Sequence, residues 1–200
     1  MTQITFEGPE GQLEGILQLD GLGEPGWGAV LCHPHPLYGG SMNDGVLQAL
    51  HRGFAKGSGS TLRFNFRGVG ASTGRHDEGA GEVDDVLAAV EFLKSQGVEQ
   101  VVLAGYSFGA VMCLKAASRL AVEAMVLVAP PLQMLDEFSK PPTPCLVILG
   151  SEDQIVDANE TASGFADSEV ELINGADHFF FDKHDEIERL VAAKGEIPWS

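Results

Sequence analysis

Gly105-Tyr106-Ser107-Phe108-Gly109 is the stretch of this sequence whose residue types and spacing best suit chemistry. It has the form G-x-S-x-G, preceded by the apolar Val101–Ala104 and followed by AVMCLKAA. That context predicts a strand turning at once into a helix, with the serine strained at the apex. Glycines on both sides let strand and helix approach without Cβ clashes. The serine would then face the unpaired N–H groups of a helix N-terminus, and the Phe108 N–H could donate to a developing oxyanion. The competing reading is a glycine-rich turn whose serine only caps the helix.

A free hydroxyl is a poor nucleophile. It needs a neutral imidazole to accept its proton and a carboxylate to orient and stabilise that imidazole. Where the nucleophile sits on such an elbow, acid and base follow in that order, on loops after strands. Gly150-Ser151-Glu152-Asp153-Gln154 follows the apolar Cys145–Leu149 and offers Asp153 as the acid, with Glu152 and Asp157 as neighbouring alternatives. Asp153 could instead simply cap a turn. Asn174-Gly175-Ala176-Asp177-His178 follows Glu169–Ile173 and offers His178 as the base, 71 residues past Ser107 and 25 past Asp153. The Phe179-Phe180-Phe181 run after it is expected to pack the following helix and keep water off the ring.

A second oxyanion donor should come from the loop after Trp27–Cys32, His33-Pro34-His35-Pro36-Leu37-Tyr38. Proline has no N–H, which leaves His35 or Leu37, with His35 slightly preferred. A zinc site on His33 and His35 lacks nearby carboxylates. His51 and His184 fall on expected helices and His76 in a polar loop, all three reading as surface residues. Arg67 is expected to tie loops together through carbonyls or buried carboxylates, or more speculatively to bind a substrate carboxylate. Glu82, Asp84 and Asp85 read as an acidic cluster at a helix N-terminus.

The elements that must position these groups alternate. Strands are expected at Thr2–Glu7 and Gln12–Leu19, with GPEG turning between them, then at Trp27–Cys32, Thr61–Phe66, Val101–Tyr106, Ala124–Ala129, Cys145–Leu149 and Glu169–Ile173. Helices are expected at Asn43–Lys56, Gly81–Ser95, Phe108–Arg119, Ala158–Ala166 and Asp185–Ala193. Near-continuous apolar strands separated by helices imply an α/β class with a mostly parallel sheet covered on both faces. The leading strand pair implies an antiparallel edge. PPTP at 141–144 reads as a stiff connection. The 200 residues suit one domain, 1–200.

Twenty-nine acidic residues against 12 basic ones give a net charge of −17. That surface disfavours nucleic acid and anionic membranes as partners. No apolar run reaches the roughly 20 residues of a membrane span, and the N-terminus has no signal-peptide pattern. Cys32, Cys113 and Cys145 lie in or beside apolar runs, which suits buried free thiols and a cytoplasmic location. No metal-ligand spacing is present, so no metal or other cofactor is expected.

HPHPLYGG, RFNFRGVGASTG, GYSFG and GADHFF, in that order, resemble a small lidless bacterial subgroup of α/β hydrolases, near the dienelactone hydrolases. The resemblance covers roughly residues 5–192 and implies an α/β-hydrolase fold of about eight strands without a cap domain. It implies Ser107, Asp153 and His178 as a triad and carboxylesterase-like cleavage of small acyl esters. Dienelactone hydrolases carry cysteine where this sequence has Ser107, which counts against lactone opening. Pro130–Pro144 is short where a cap is often inserted, favouring small soluble substrates. Thioesterase, peptidase and acyltransferase chemistry would use the same triad, a non-catalytic scaffold would keep only the fold, and a metal-dependent hydrolase would be lost to chelators. Substrate identity and oligomeric state stay open.

Overall fold

The computed structural model describes residues 1–20, 26–139 and 143–195. Its strands are β1 (Thr2–Gly8), β2 (Gly11–Gln18), β3 (Gly26–Cys32), β4 (Ser60–Phe64), β5 (Val98–Tyr106), β6 (Ala124–Val128), β7 (Cys145–Gly150) and β8 (Glu169–Ile173). They form one eight-stranded sheet in the order β1-β2-β4-β3-β5-β6-β7-β8. β1–β2 and β2–β4 pair antiparallel, and every other pairing is parallel. The antiparallel edge is therefore where the sequence implies it.

Burial follows from position in the sheet. β6 and β7 are buried at every residue, as strands covered on both faces must be. β2 instead alternates, with Leu13, Gly15 and Leu17 inward. Helices α1 (Gly45–Lys56) and α2 (Ala80–Ser95) both lie on β3, β4 and β5, from opposite faces. α3 (Phe108–Ala117) packs beside α2, and α5 (His184–Ala192) beside α1. α4 (Ala158–Gly164) leans on β7. At the far edge Phe6 stacks on Phe92 of α2, ring centroids 4.8 Å apart.

Many element ends shift from the sequence reading, by up to three residues, and two of the shifts have a visible cause. β5 begins at Val98, earlier than Val101, because Val98 pairs with Gly26 before a bulge at Trp27. β4 ends at Phe64: Asn65 still donates to the Glu14 carbonyl of β2, but the Phe66 N–H turns to the His33 ring. Within PPTP, residues 141 and 142 lie outside the described residues. No cap is inserted among the described residues between β6 and β7, and no helix among them is long and apolar enough to cross a membrane.

Candidate active site

Ser107 sits between β5 and α3 with φ 52° and ψ −119°, a conformation that costs of order 1–3 kcal/mol and persists only when its surroundings enforce it. The enforcement is visible. The Ser107 N–H donates to the Val128 carbonyl at 2.9 Å. A Cβ at Gly109 would lie 2.1 Å from the Cys32 carbonyl oxygen, and one at Gly105 2.4 Å from the Gly109 carbonyl carbon. Only glycine at both positions lets α3 start flush against the ends of β3 and β5.

The hydroxyl so presented meets an imidazole. Ser107 Oγ is 3.0 Å from His178 Nε2, and His178 Nδ1 is 2.8 Å from Asp153 Oδ2. Asp153 is 1 % exposed at its side chain. Its other oxygen, Oδ1, accepts the N–H groups of Ile155 and Val156 at 2.8 and 2.9 Å. Asp153 thus caps its own turn with one oxygen and meets the imidazole with the other. Burial acts to raise its carboxyl, but the hydrogen bonds from His178, Val156 and Ile155 outweigh burial and hold it below its ordinary value. Glu152 is exposed, and Asp157 caps α4 through Asn159 and Glu160.

Tyr106, the residue before Ser107, donates its hydroxyl to the His178 carbonyl at 2.7 Å and so fixes the histidine loop to the end of β5. Burial, with Asp44, Asp153 and Asp177 nearby, pushes its phenol well above the ordinary value. The aromatic run after His178 corrects its expectation. Phe180 is fully buried, but Phe179 and Phe181 are 53 % and 70 % exposed and stack on each other at the rim.

On the opposite side lies the HPHP loop. His33 is buried with both ring nitrogens engaged: Nδ1 is 2.6 Å from the Pro34 carbonyl, and Nε2 accepts the Phe66 N–H at 3.1 Å. The Leu37 N–H is turned back onto His35 Nδ1 at 3.2 Å within a short 3-10 helix, Pro36–Tyr38. The His35 N–H has no acceptor among the described residues, and the Phe108 N–H belongs to the first turn of α3. The His35 and Phe108 rings meet at 4.9 Å. No group of metal-ligating side chains forms among the described residues.

These walls enclose a cleft of about 360 Å³ holding Ser107 and His178, bordered by His35, Tyr38, Met134, Ile155 and Phe179. A more open polar hollow of about 490 Å³, lined by Glu10, Arg67, Arg75 and His76, has no nucleophile on its wall.

Residues 68–199 match the dienelactone hydrolase family. The chain belongs to that family. An uncharacterised protein of Rickettsia prowazekii (strain Madrid E) is 32 % identical over 96 % of this chain and 87 % of its own length. Among solved structures, an α/β serine hydrolase homologue from Coxiella burnetii superposes with a TM-score of 0.90 at 32 % identity, covering 96 % of each chain. A Xanthomonas campestris α/β serine hydrolase without a lid gives 0.88 at 31 % identity, covering 100 % of this chain and 96 % of its own. This dienelactone hydrolase family member is a hydrolase of the lidless α/β-hydrolase fold.

Around the family site, several polar residues depart from their expected surface roles. Of the acidic cluster on α2, only Asp84 is outside, paired with Arg119 at 2.6 Å. Glu82 is fully buried, accepting the N–H groups of Asp77 and Gly79 at 2.9 and 2.8 Å, with His76 Nδ1 2.7 Å away. Asp85 is buried too, clasping the Arg67 guanidinium at 2.8–3.1 Å and accepting the Arg67 N–H. His76 is therefore half-buried against Glu82. His51 is buried with Nδ1 2.8 Å from Thr61 Oγ1, and His184 packs over Gly45. Sequence reasoning gave no site role to Tyr106 or Asp44. Asp44 was legible as a helix cap, since an aspartate stands immediately before an apolar helical repeat.

Proposed function

We propose that this hydrolase cleaves small carboxylic esters through an acyl-enzyme on Ser107, in the manner of a carboxylesterase. The observation that carries the reading is the unbroken hydrogen-bonded line from Asp153 through His178 to Ser107 at 2.8 and 3.0 Å. Its tautomer follows from its ends. A carboxylate at Nδ1 keeps a proton there, so Nε2 is free to take the Ser107 proton.

Ser107 Oγ attacks the ester carbonyl while His178 Nε2 removes its proton. The N–H groups of Phe108 and His35 stabilise the oxyanion; His35 is favoured over Leu37, whose N–H is engaged by the His35 ring. Collapse of the tetrahedral intermediate breaks the C–O bond, and the alcohol leaves with the proton from His178. Water then attacks the acyl-enzyme by the same route and releases the acid. No metal or organic cofactor enters this sequence. The three buried free cysteines support action in a reducing cytoplasm on a dissolved small molecule.

Ser107→Ala should lower kcat on a short-chain p-nitrophenyl ester by roughly 10³-fold or more and abolish labelling by a fluorophosphonate probe. Hydrolysis retained by that variant rejects the assignment. Wild-type protein that takes no label points instead to a scaffold, and comparing ester, thioester and amide turnover on one preparation separates the remaining acyl-transfer chemistries.

A further inference from the structure

Asp44 stands on the wall of the cleft that holds Ser107 and His178. Its Oδ1 accepts the N–H groups of Val46 and Leu47 at 2.8 and 3.4 Å, so the positive end of α1 is already neutralised and unavailable to an anion. Its Oδ2 accepts no hydrogen bond among the described residues, and the titratable group nearest it is His184 at the start of α5. No lysine or arginine among the described residues lines the cleft. Burial lowers the His35 imidazole, which leaves that wall neutral near pH 7. Burial also raises the Asp44 carboxyl, the mark of a charge that water no longer fully solvates. The exposed rings of Tyr38 and Phe179 border the same cleft, and aromatic faces attract cations.

We propose that Asp44 is the specificity residue of this cleft, selecting small esters that carry an ammonium group and turning away those that carry a carboxylate. The inference rests on the esterase reading above and adds the substrate class. A partly desolvated carboxylate a few ångströms from a bound cation discriminates more strongly than an exposed one, because the intervening medium screens less. The net charge of −17 works in the same direction at long range, but salt screens it.

Two isosteric pairs test the proposal. Acetylcholine and 3,3-dimethylbutyl acetate differ by charge on the alcohol side, and the ethyl esters of betaine and 3,3-dimethylbutanoic acid by charge on the acyl side. At an ionic strength of about 0.15 M, where long-range fields die within roughly 8 Å, wild type should prefer the cation in at least one pair by about tenfold in kcat/KM, once each ratio is divided by that of the two esters' uncatalysed hydrolysis rates. Asp44→Asn and Asp44→Ser both retain a helix-capping oxygen, and both should bring that ratio close to one. A wild type indifferent to charge in both pairs overturns the proposal. So does a preference that survives both substitutions, which net charge would then explain. Saturation-transfer NMR with choline and 3,3-dimethylbutanol reads the same selectivity without turnover. If no ester is hydrolysed but choline binds in an Asp44-dependent manner, the esterase reading falls and the charge selectivity stands; if choline binding ignores Asp44, the selectivity falls.

Discussion

Asp153 divides its oxygens between architecture and chemistry, and the two duties can be separated. Asp153→Asn keeps an acceptor for the Ile155 and Val156 N–H groups but cannot hold the imidazole tautomer as a carboxylate does, so kcat should fall by roughly 10⁴-fold with little loss of stability. Asp153→Ala loses both duties and should also unfold about 1–2 kcal/mol more easily in denaturant. Identical denaturation midpoints for the two variants would contradict the division. His33 makes a different prediction. Burial holds its imidazole down from 6.5 to about 4, with the Pro34 hydrogen bond opposing and His35 adding to the effect. The folded pKa lies below the unfolded one, so the unfolded chain binds the extra proton between those values. The stability this contributes is complete above pH 6.5 and is lost as pH falls through 4, approaching about 3 kcal/mol. Denaturation across that range should show His33→Asn less stable overall but with a flatter pH dependence than wild type.

Among the elements, the α1–α5 contact sets packing against propensity. Arg52 and Lys56 of α1 both pair with Glu188 of α5, and between the helices a Cβ at Gly53 would lie 2.7 Å from Val191 Cβ. Helix propensity alone favours Gly53→Ala by up to about 1 kcal/mol. The crowding should reverse that sign and cost about 1–3 kcal/mol in chemical denaturation. The same elements show what could be read in advance. Every strand and α-helix among the described residues was legible, the central strands as apolar runs and most helices by an apolar repeat; GYSFG and Asp153 were legible as candidates because each follows a buried apolar run, and His178 because it follows the last strand. The buried polar residues were not. Glu82, Asp85 and His51 look like solvent-facing residues of helices, and what buries them is a partner on another element: Arg67, His76 or Thr61. Pairings of that kind have no local signature. The exposed Phe179 and Phe181 escaped for the converse reason, since apolar type alone suggests burial.

At the scale of the whole molecule, the active cleft is cut into the ends of parallel strands, with β6 and β7 joined without a cap among the described residues. The walls of such a site are the fold itself. His178 is bound to β5 through Tyr106, Asp153 to its own turn, and the HPHP loop to the segment just after β4 through His33. Among the described residues there is no cover to be displaced by contact with an oil droplet. Turnover should therefore climb smoothly with dissolved ester and saturate, with no jump in rate where an emulsion first forms, as rate curves across the solubility limit of a butyrate ester would reveal. Under the proposed function, an opening that the described residues leave uncovered ties output directly to the supply of substrate in solution.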